Sequence, residues 1–407
     1  MEYVKLGDLI SLVIDYRGKT PLKLKGEWAS EGYRALSALN VKTGGLVAED
    51  KIRFVNEDLY HKWMKQEVNR GDILITSEAP FGQVLQWNSD EKIVLSQRLF
   101  AIRIKTDVDN RYVYYYMTSQ PFQGELKARA TGSTVEGLRQ PALMKCRLSL
   151  PELPLQHRIA SILSTYDTLI ENNTKRIRLL EKMAENLYKE WFVRFRFPGH
   201  ENVEMENGLP KGWKRGTLRD IVEFQNGFAF KSDTFCNDGK FSIVTIKNVQ
   251  AEGFYGSNTD KVAEIPQRMP SYCKLVQGDI LLSLTGNIGR VCRVQGNGYL
   301  LNQRVAKLKS LFPFYNYCLF KSDYIFQSLN VISYGTAQLN LSPVKALKIR
   351  VNIPSKENIE HFEHKVGPMF NKIDNLQHQN SLLARQRDLL LPRLMSGKLE
   401  VKEELLE

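Results

Sequence analysis

The chain has 407 residues, a 43% hydrophobic fraction and a formal net charge of +12, with an isoelectric point near 9.3 and a mean hydropathy of −0.34. That length suits two domains with helical connectors, and no apolar run approaches a membrane span. The opening MEYVKLGDLI lacks a signal-peptide pattern, and five scattered cysteines with no CxxC pair argue against a disulfide framework or a thiolate zinc site, so a reducing cytoplasm is expected.

Residues 1 to about 150 read as a mixed α/β unit. Arg34–Val41, Asp72–Thr76, Gln83–Trp87 and Leu99–Ile104 have strand composition, with glycines at 44, 45, 71 and 82 as turns. Arg111–Gln120 reads as a helix, Pro121 starts a further helical stretch, Thr131–Thr134 is a polar turn, and Arg147–Leu150 leads through Pro151 and Pro154 into something different. From Pro154 to Phe197, apolar residues recur at Ile159, Leu163, Tyr166, Ile170, Ile177, Leu180, Ala184, Leu187 and Trp191 in steps of four and three. This is the narrow seam of a helix packed lengthwise on another helix, interrupted by Asn173, a polar residue of the kind that fixes register and partner. Some thirty-five residues at about 1.5 Å each span roughly 50 Å. Gly199–Gly216, rich in Gly, Asn and Glu, reads as a linker.

The plan then repeats. Phe241–Val249, Asp279–Leu284, Arg290–Val294 and Arg304–Leu308 are expected strands, and a helical pair lies between Pro313 and Asn330. Ser355–Lys398 carries a second seam whose residues sit 203 positions after their counterparts: Leu163 and Val366, Ile170 and Ile373, Leu180 and Leu383. Gly71-Asp-Ile-Leu-Ile matches Gly278-Asp-Ile-Leu-Leu, Leu95-Ser-Gln-Arg98 matches Leu301-Asn-Gln-Arg304, and Asn40-Val41 matches Asn248-Val249. The chain is a tandem duplication of globular unit and long helix. Within the second helix, Gly367-Pro368 predicts a kink or interruption.

Catalytic patterns are missing from the sequence. No Gly-rich loop ends in GK[ST], no GxGxxG opens a helix after a strand, and there is no Asn/Asp-Pro-Pro-aromatic motif for holding a flipped base. His361 and His364 have no third ligand nearby and read as solvated helix residues. Asp72 and Glu78 are single carboxylates in turns, most simply structural.

The turns do offer polar contact surface, twice. The first unit has Ser77, Gln83, Arg98, Ser133, Thr134 and Arg139; the second has Thr285, Asn287, Arg290, Arg304, Thr336 and Gln338. Arg, Gln and Asn pair bidentately with purine edges, and Ser, Thr and backbone amides suit phosphates, which fits the basic charge. A basic surface also serves solubility, and the Gln-Arg pair at 97–98 and 303–304 recurs in a way that favours a structural role, since base readers should differ between halves. Tyr188, Trp191, Phe192 and Phe195, with Val193 and Phe197, give the end of the first helix more apolar surface than a helix pair needs, which predicts either a partner contact or a cap on the first globular core.

The duplicated plan resembles the specificity subunit of type I restriction-modification systems. The resemblance covers the whole chain and rests most on Leu153-Pro-Leu-Gln-His-Arg-Ile159, Leu187-Tyr-Lys-Glu-Trp-Phe-Val193, Leu390-Leu-Pro-Arg-Leu-Met-Ser-Gly-Lys398 and the GDIL and QR elements of each half. It implies an α+β architecture of two tandem α/β target recognition domains separated by two long antiparallel coiled-coil-like helices. The expected divisions are 1–152 and 199–354 for the recognition domains, the latter with its linker, and 153–198 and 355–407 for the helices. It also implies that each globular domain reads half of a split, asymmetric site in double-stranded DNA, and that the helices set the gap and dock two methyltransferase subunits. The chain itself is then non-catalytic and without a cofactor. S-adenosylmethionine, ATP and Mg are expected in the methyltransferase and the restriction/translocase subunits. Alternative readings are a standalone pseudo-dimeric DNA-binding regulator, for which no helix-turn-helix pattern is evident, or the recognition part of a simpler restriction system.

Overall fold

The computed structural model describes residues 2–131, 137–250, 253–257, 259–333 and 339–401. The chain forms two compact units: Met1–Ile170 with Leu382–Glu407, and Glu171–Ser381. No helix among the described residues is long and apolar enough to cross a membrane.

In the first unit a four-stranded antiparallel sheet has the order Ile10–Asp15, Leu99–Ile104, Ile73–Thr76, Val84–Gln86. Leu99–Ile104 is central because its apolar run is buried on both faces. A three-stranded sheet sets Tyr33–Leu36 between Arg53–Val55 and Ile93–Leu95, the last pairing parallel. Glu2–Lys5 pairs with Arg147–Leu150, and Val41–Lys42 with Gly45–Leu46 makes a small hairpin. The helices Asn110–Thr118 and Gln120–Ala128 cover one core.

The second unit repeats this plan, with five strands in its second sheet where the first unit has three. Its four-stranded sheet runs Glu223–Asn226, Val305–Lys309, Ile280–Ser283, Val291–Arg293. Phe241–Val244 again pairs parallel with Tyr299–Leu301, Val249–Gln250 with Gly253–Phe254 is the hairpin, and Pro313–Phe320 with Asp323–Val331 is the helical pair. The expected linker is not a bare tether. Met205–Glu206 and Leu209–Pro210 form a hairpin, Lys214–Thr217 pairs with Arg350–Ile353, and Leu209 and Trp213 are buried in the core.

Repeated sequence signals have repeated physical causes. Gly71 (φ +94°) and Gly278 (φ +87°) open the turn before the GDIL strands in a conformation that glycine adopts without strain. The next residue is a carboxylate paired with a cation: buried Asp72 accepts two bonds from Arg103, and partly buried Asp279 pairs with Lys307 at 2.8 Å. Asn40 and Asn248, both 2% exposed, clamp equivalent turns by accepting from Ser37 and Thr245 and donating to the carbonyls of Ala48 and Tyr255.

The first long helix is Leu153–Tyr188, closed by a π turn over Lys189–Val193; the second is Lys356–Met395. The helix is not interrupted at Gly367-Pro368: it runs unbroken through both residues, and Pro368 and His364, whose carbonyl loses its bond, are exposed, which leaves that carbonyl open to solvent. Within each unit the helices run antiparallel. In the first, Asp167 meets Arg387 and Ile159 and Leu163 share a core with Leu394 and Met395. In the second, Thr174 meets Asn380 and Trp191 meets Phe362.

Candidate nucleic-acid interface

At one end of the two central strands of each four-stranded sheet, three loop segments are tied together by backbone bonds. In the first unit, Ser77 N–H donates to the Arg98 carbonyl at 2.8 Å, and Leu138 N–H donates to the Ser77 carbonyl at 2.9 Å. In the second, Leu284 N–H donates to the Arg304 carbonyl at 3.0 Å, and Leu341 N–H donates to the Leu284 carbonyl at 2.8 Å. The Gln-Arg turn is held from its other side as well: Ala38 N–H donates to the Gln97 carbonyl, and Gln303 N–H donates to the Phe228 carbonyl. The repeated turn is therefore structural through its main chain, while the side chains of Gln97, Arg98, Gln303 and Arg304 stay exposed.

This lacing gathers Ser77, Arg98 and Arg139 in one unit, and Thr285, Asn287 and Arg304 in the other. Arg98 lies 3.5 Å from Glu78, both partly exposed. Such a pair is worth only about 0–1 kcal/mol, so a phosphate can displace the carboxylate. Asn287 is exposed, whereas Ser77 is 4% exposed and the buried Thr285 hydroxyl has no partner among the described residues. Ser133, Thr134, Thr336 and Gln338 lie outside the described residues.

Gln83 and Arg290 are not delivered to this edge as free side chains. Gln83 accepts from Thr43 N–H at 3.0 Å, and Arg290 Nη1 donates to Gln250 Oε1. Both reach back to the small hairpin of their own unit, so two chemically different residues perform the same tie. The structure adds residues that the sequence reading passed over. Arg17, Lys23, Gln97 and Gln140 line an open cleft of about 830 Å³ with Glu78 and Arg98. Arg17 is fixed there by Asp15 at 2.6 Å, by the Leu138 carbonyl at 3.1 Å and by the Phe100 ring 4.7 Å beneath its guanidinium. The Arg17-Gly-Lys-Thr-Pro21 stretch following a strand is a basic turn signal that could have pointed here.

The aromatic end of the first long helix departs from expectation. Tyr188, Trp191 and Phe192 are 5, 7 and 6% exposed, inside the core of the second unit. Phe192 alone packs on Tyr315 (4.9 Å), Phe362 (5.1 Å), Tyr188 (5.3 Å) and Trp213 (5.9 Å). Phe195 is half-buried against Trp213 at 5.3 Å. These side chains fill a core and do not form the exposed patch expected from the sequence; of the group, Val193 is exposed. Among the described residues, no cluster of three His, Cys, Asp or Glu side chains is placed to hold a metal, and His361 and His364 are exposed.

The molecule is thus a duplicated α+β protein that presents the same laced, polar loop edge twice beside two long helices. The family profile described as type I restriction modification DNA specificity domain matches residues 1–182 and again 210–382, and the chain belongs to that family. The chain is 29% identical over 348 residues to the type I restriction enzyme MjaIX specificity subunit of Methanocaldococcus jannaschii, covering 82% of this chain and 79% of that one. It is 25% identical over 420 residues to the MjaVIII specificity subunit of the same organism, covering 98% and 93%. The crystal structure of a type I restriction-modification S subunit from M. genitalium superposes with a TM-score of 0.53 at 18% identity, over 97% of this chain and 95% of that one, a likeness of fold.

Proposed function

We propose that this chain is the sequence-specific DNA-recognition subunit of a type I restriction-modification complex, in which each globular unit reads one half of a bipartite asymmetric site. The observation that carries the reading is the double match to the DNA specificity domain together with the twice-built loop edge. The lacing is common to both units, and the side chains it displays differ: Glu78, Arg139 and Gln140 accompany Arg98, while Asn287 accompanies Arg304. A shared platform with unlike side chains suits two readers of unlike half-sites. Exposed Arg98 and Arg304 serve phosphates or guanine edges, and Ser133, Thr134, Thr336 and Gln338 are further DNA contacts in this reading.

In this reading the globular units correspond to residues 1–152 and 199–354, and the helices over 153–198 and 355–407 set the gap between half-sites and dock two methyltransferase subunits. Leu179 and Leu382, 203 positions apart and both exposed on the outer faces of the helices, are suitable contacts. The chain itself is non-catalytic and resides in the cytoplasm; the methyltransferase supplies S-adenosylmethionine chemistry, and a restriction subunit supplies ATP- and Mg-dependent cleavage. The test is a genome-wide map of methylated adenine in cells with and without this chain, alongside its methyltransferase. A two-part motif with a fixed gap is expected, and exchange of residues 1–152 should change one half of it only. No methylated motif dependent on the chain would overturn the reading.

A further inference from the structure

The duplication lets each contact between the long helices be compared with its own copy. Positions 167 and 370 are copies of each other, 203 residues apart, and so are 184 and 387. In the first unit, positions 167 and 387 hold a carboxylate and a guanidinium: Asp167 Oδ1 pairs with Arg387 Nη1, and Tyr115 Oη donates to Asp167 Oδ2 at 2.5 Å. Arg387 also binds Asp388 at 2.8 Å. In the second unit, the copied positions hold Phe370 and Ala184, and the copy of Tyr115 is Cys318. These three are 1, 0 and 3% exposed in one apolar core, where Phe370 stacks on Phe314 at 4.7 Å.

Most of the apolar seam repeats on both helices, as at Leu163 and Val366, Ile170 and Ile373, and Leu180 and Leu383, so a first helix can bury much of its seam against a second helix or against the first helix of another copy; Ala184 and its copy Arg387 are where the repeat breaks at the ion pair. We propose that the Asp167–Arg387 pair is an address that makes the two halves of the duplication non-interchangeable, directing the first long helix to the second and excluding a like helix from another copy of the chain. In a like-with-like pairing of first helices, Asp167 meets Ala184 of the other copy beneath Tyr115. In a pairing of second helices, Arg387 meets Phe370. The first arrangement leaves the half-buried Asp167 carboxylate without its opposite charge, and the second leaves Arg387 with its more exposed neighbour Asp388 alone; removing one member of such a pair is penalised more than the intact pair stabilises. The ionic network therefore selects the partner, a role that the Phe370 and Ala184 contact does not perform.

The test uses full-length chains carrying two different affinity tags, co-expressed and captured by one tag. For wild type with wild type, capture of the second copy stays at background. Asp167→Arg sets two guanidinium groups against each other within its chain, and Arg387→Asp sets two carboxylates against each other. When these two variants are co-expressed, exchange of helices between copies restores an opposite-charge pair in both first units, and co-capture rises roughly tenfold or more. Both substitutions in one chain return it to background. Background capture for the mixture of two folded variants, judged by circular dichroism, overturns the proposal, as does equal capture by the double variant. Should the single variants fail to accumulate in soluble form, Asp167→Ala with Arg387→Ala in one chain removes the address without leaving a stray charge. Its co-capture then exceeds wild type, and a folded double-alanine chain at the wild-type level overturns the proposal.

Discussion

Substitution of Phe192 by alanine separates a core role from a docking role for the aromatic helix end. The ring is 6% exposed and meets Tyr315, Phe362, Tyr188 and Trp213 with centroids 4.9 to 5.9 Å away. Phe192 bridges the end of the first long helix, the strand entry at Trp213 and the helix Pro313–Phe320. Phe→Ala in such a site costs about 3–5 kcal/mol. For a unit of this size that is a fall of roughly 6–20 °C in its melting temperature, a large share of a typical stability. The neighbouring Val193, 59% exposed on the same π turn, serves as the control, and Val193→Ala should stay within about 0.5 kcal/mol of wild type. Thermal unfolding of the full chain by circular dichroism reads both, with the second unit expected to melt first in the Phe192 variant. An unchanged melting profile for Phe192→Ala, coupled with loss of methyltransferase capture, would refute the core assignment and restore the docking one.

Arg98→Ala and Arg304→Ala should each weaken DNA binding and lower the salt slope by about 1, the mark of one lost phosphate contact, in anisotropy titrations at several salt concentrations. Gly227→Ala should leave the second unit unfolded or destabilised by about 3 kcal/mol or more, because the added Cβ falls 2.1 Å from the Asn302 carbonyl oxygen; Gly45→Ala, with open space around it, should be tolerated in the same solubility and melting assay. Burial pushes the Glu363 carboxyl up to about 7 although it accepts the Tyr315 N–H at 2.6 Å. Because its folded value lies above the ordinary 4.5, its contribution to stability is full below that pH and is lost as pH rises through about 7. Glu363→Gln should flatten that part of the stability profile, and an unchanged profile between pH 4.5 and 7 would exclude Glu363 as the titrating group.

The sequence revealed the fold wherever one residue type has one physical use. Glycine at 71 and 278, the following aspartate and the buried Asn40 and Asn248 each answer a local demand, so their recurrence at a near-constant offset exposed the duplication before any coordinate did. Helical seams are legible for the same reason, since 3.6-residue periodicity is a local property. What a helix end buries against is not local. Tyr188, Trp191 and Phe192 meet Trp213, Tyr315 and Phe362, which are distant in sequence, so apolar excess alone did not distinguish a core from a docking patch. The strand Lys214–Thr217 was missed because Lys-Arg-Gly-Thr has no alternating apolar face, and its stability comes from pairing with Arg350–Ile353. Pro368 does not interrupt its helix, because proline's cost depends on whether the carbonyl it frees faces water.

The loop edge carries the consequence furthest. Main-chain bonds lace Ser77, Arg98 and Leu138 together, and likewise Leu284, Arg304 and Leu341, with the weak Arg98–Glu78 pair and the Arg17 bond to the Leu138 carbonyl added in the first unit. Main-chain bonds persist whatever side chain a residue carries, so in the proposed function the exposed positions can vary with the DNA read, whereas Gln83 and Arg290 are tied to Thr43 and Gln250. Gln97→Ala and Gln303→Ala should therefore leave each unit's stability within about 0.5 kcal/mol, since only exposed side-chain atoms are lost. Any change they make should appear in the methylated motif, each in one half. Gln83→Ala removes the acceptor for Thr43 N–H and should cost about 1 kcal/mol in the first unit, with the motif otherwise read as before. A melting loss at Gln97 or Gln303 as large as that of Phe192→Ala would mean that the side chains, and not the backbone lacing, hold the edge in place.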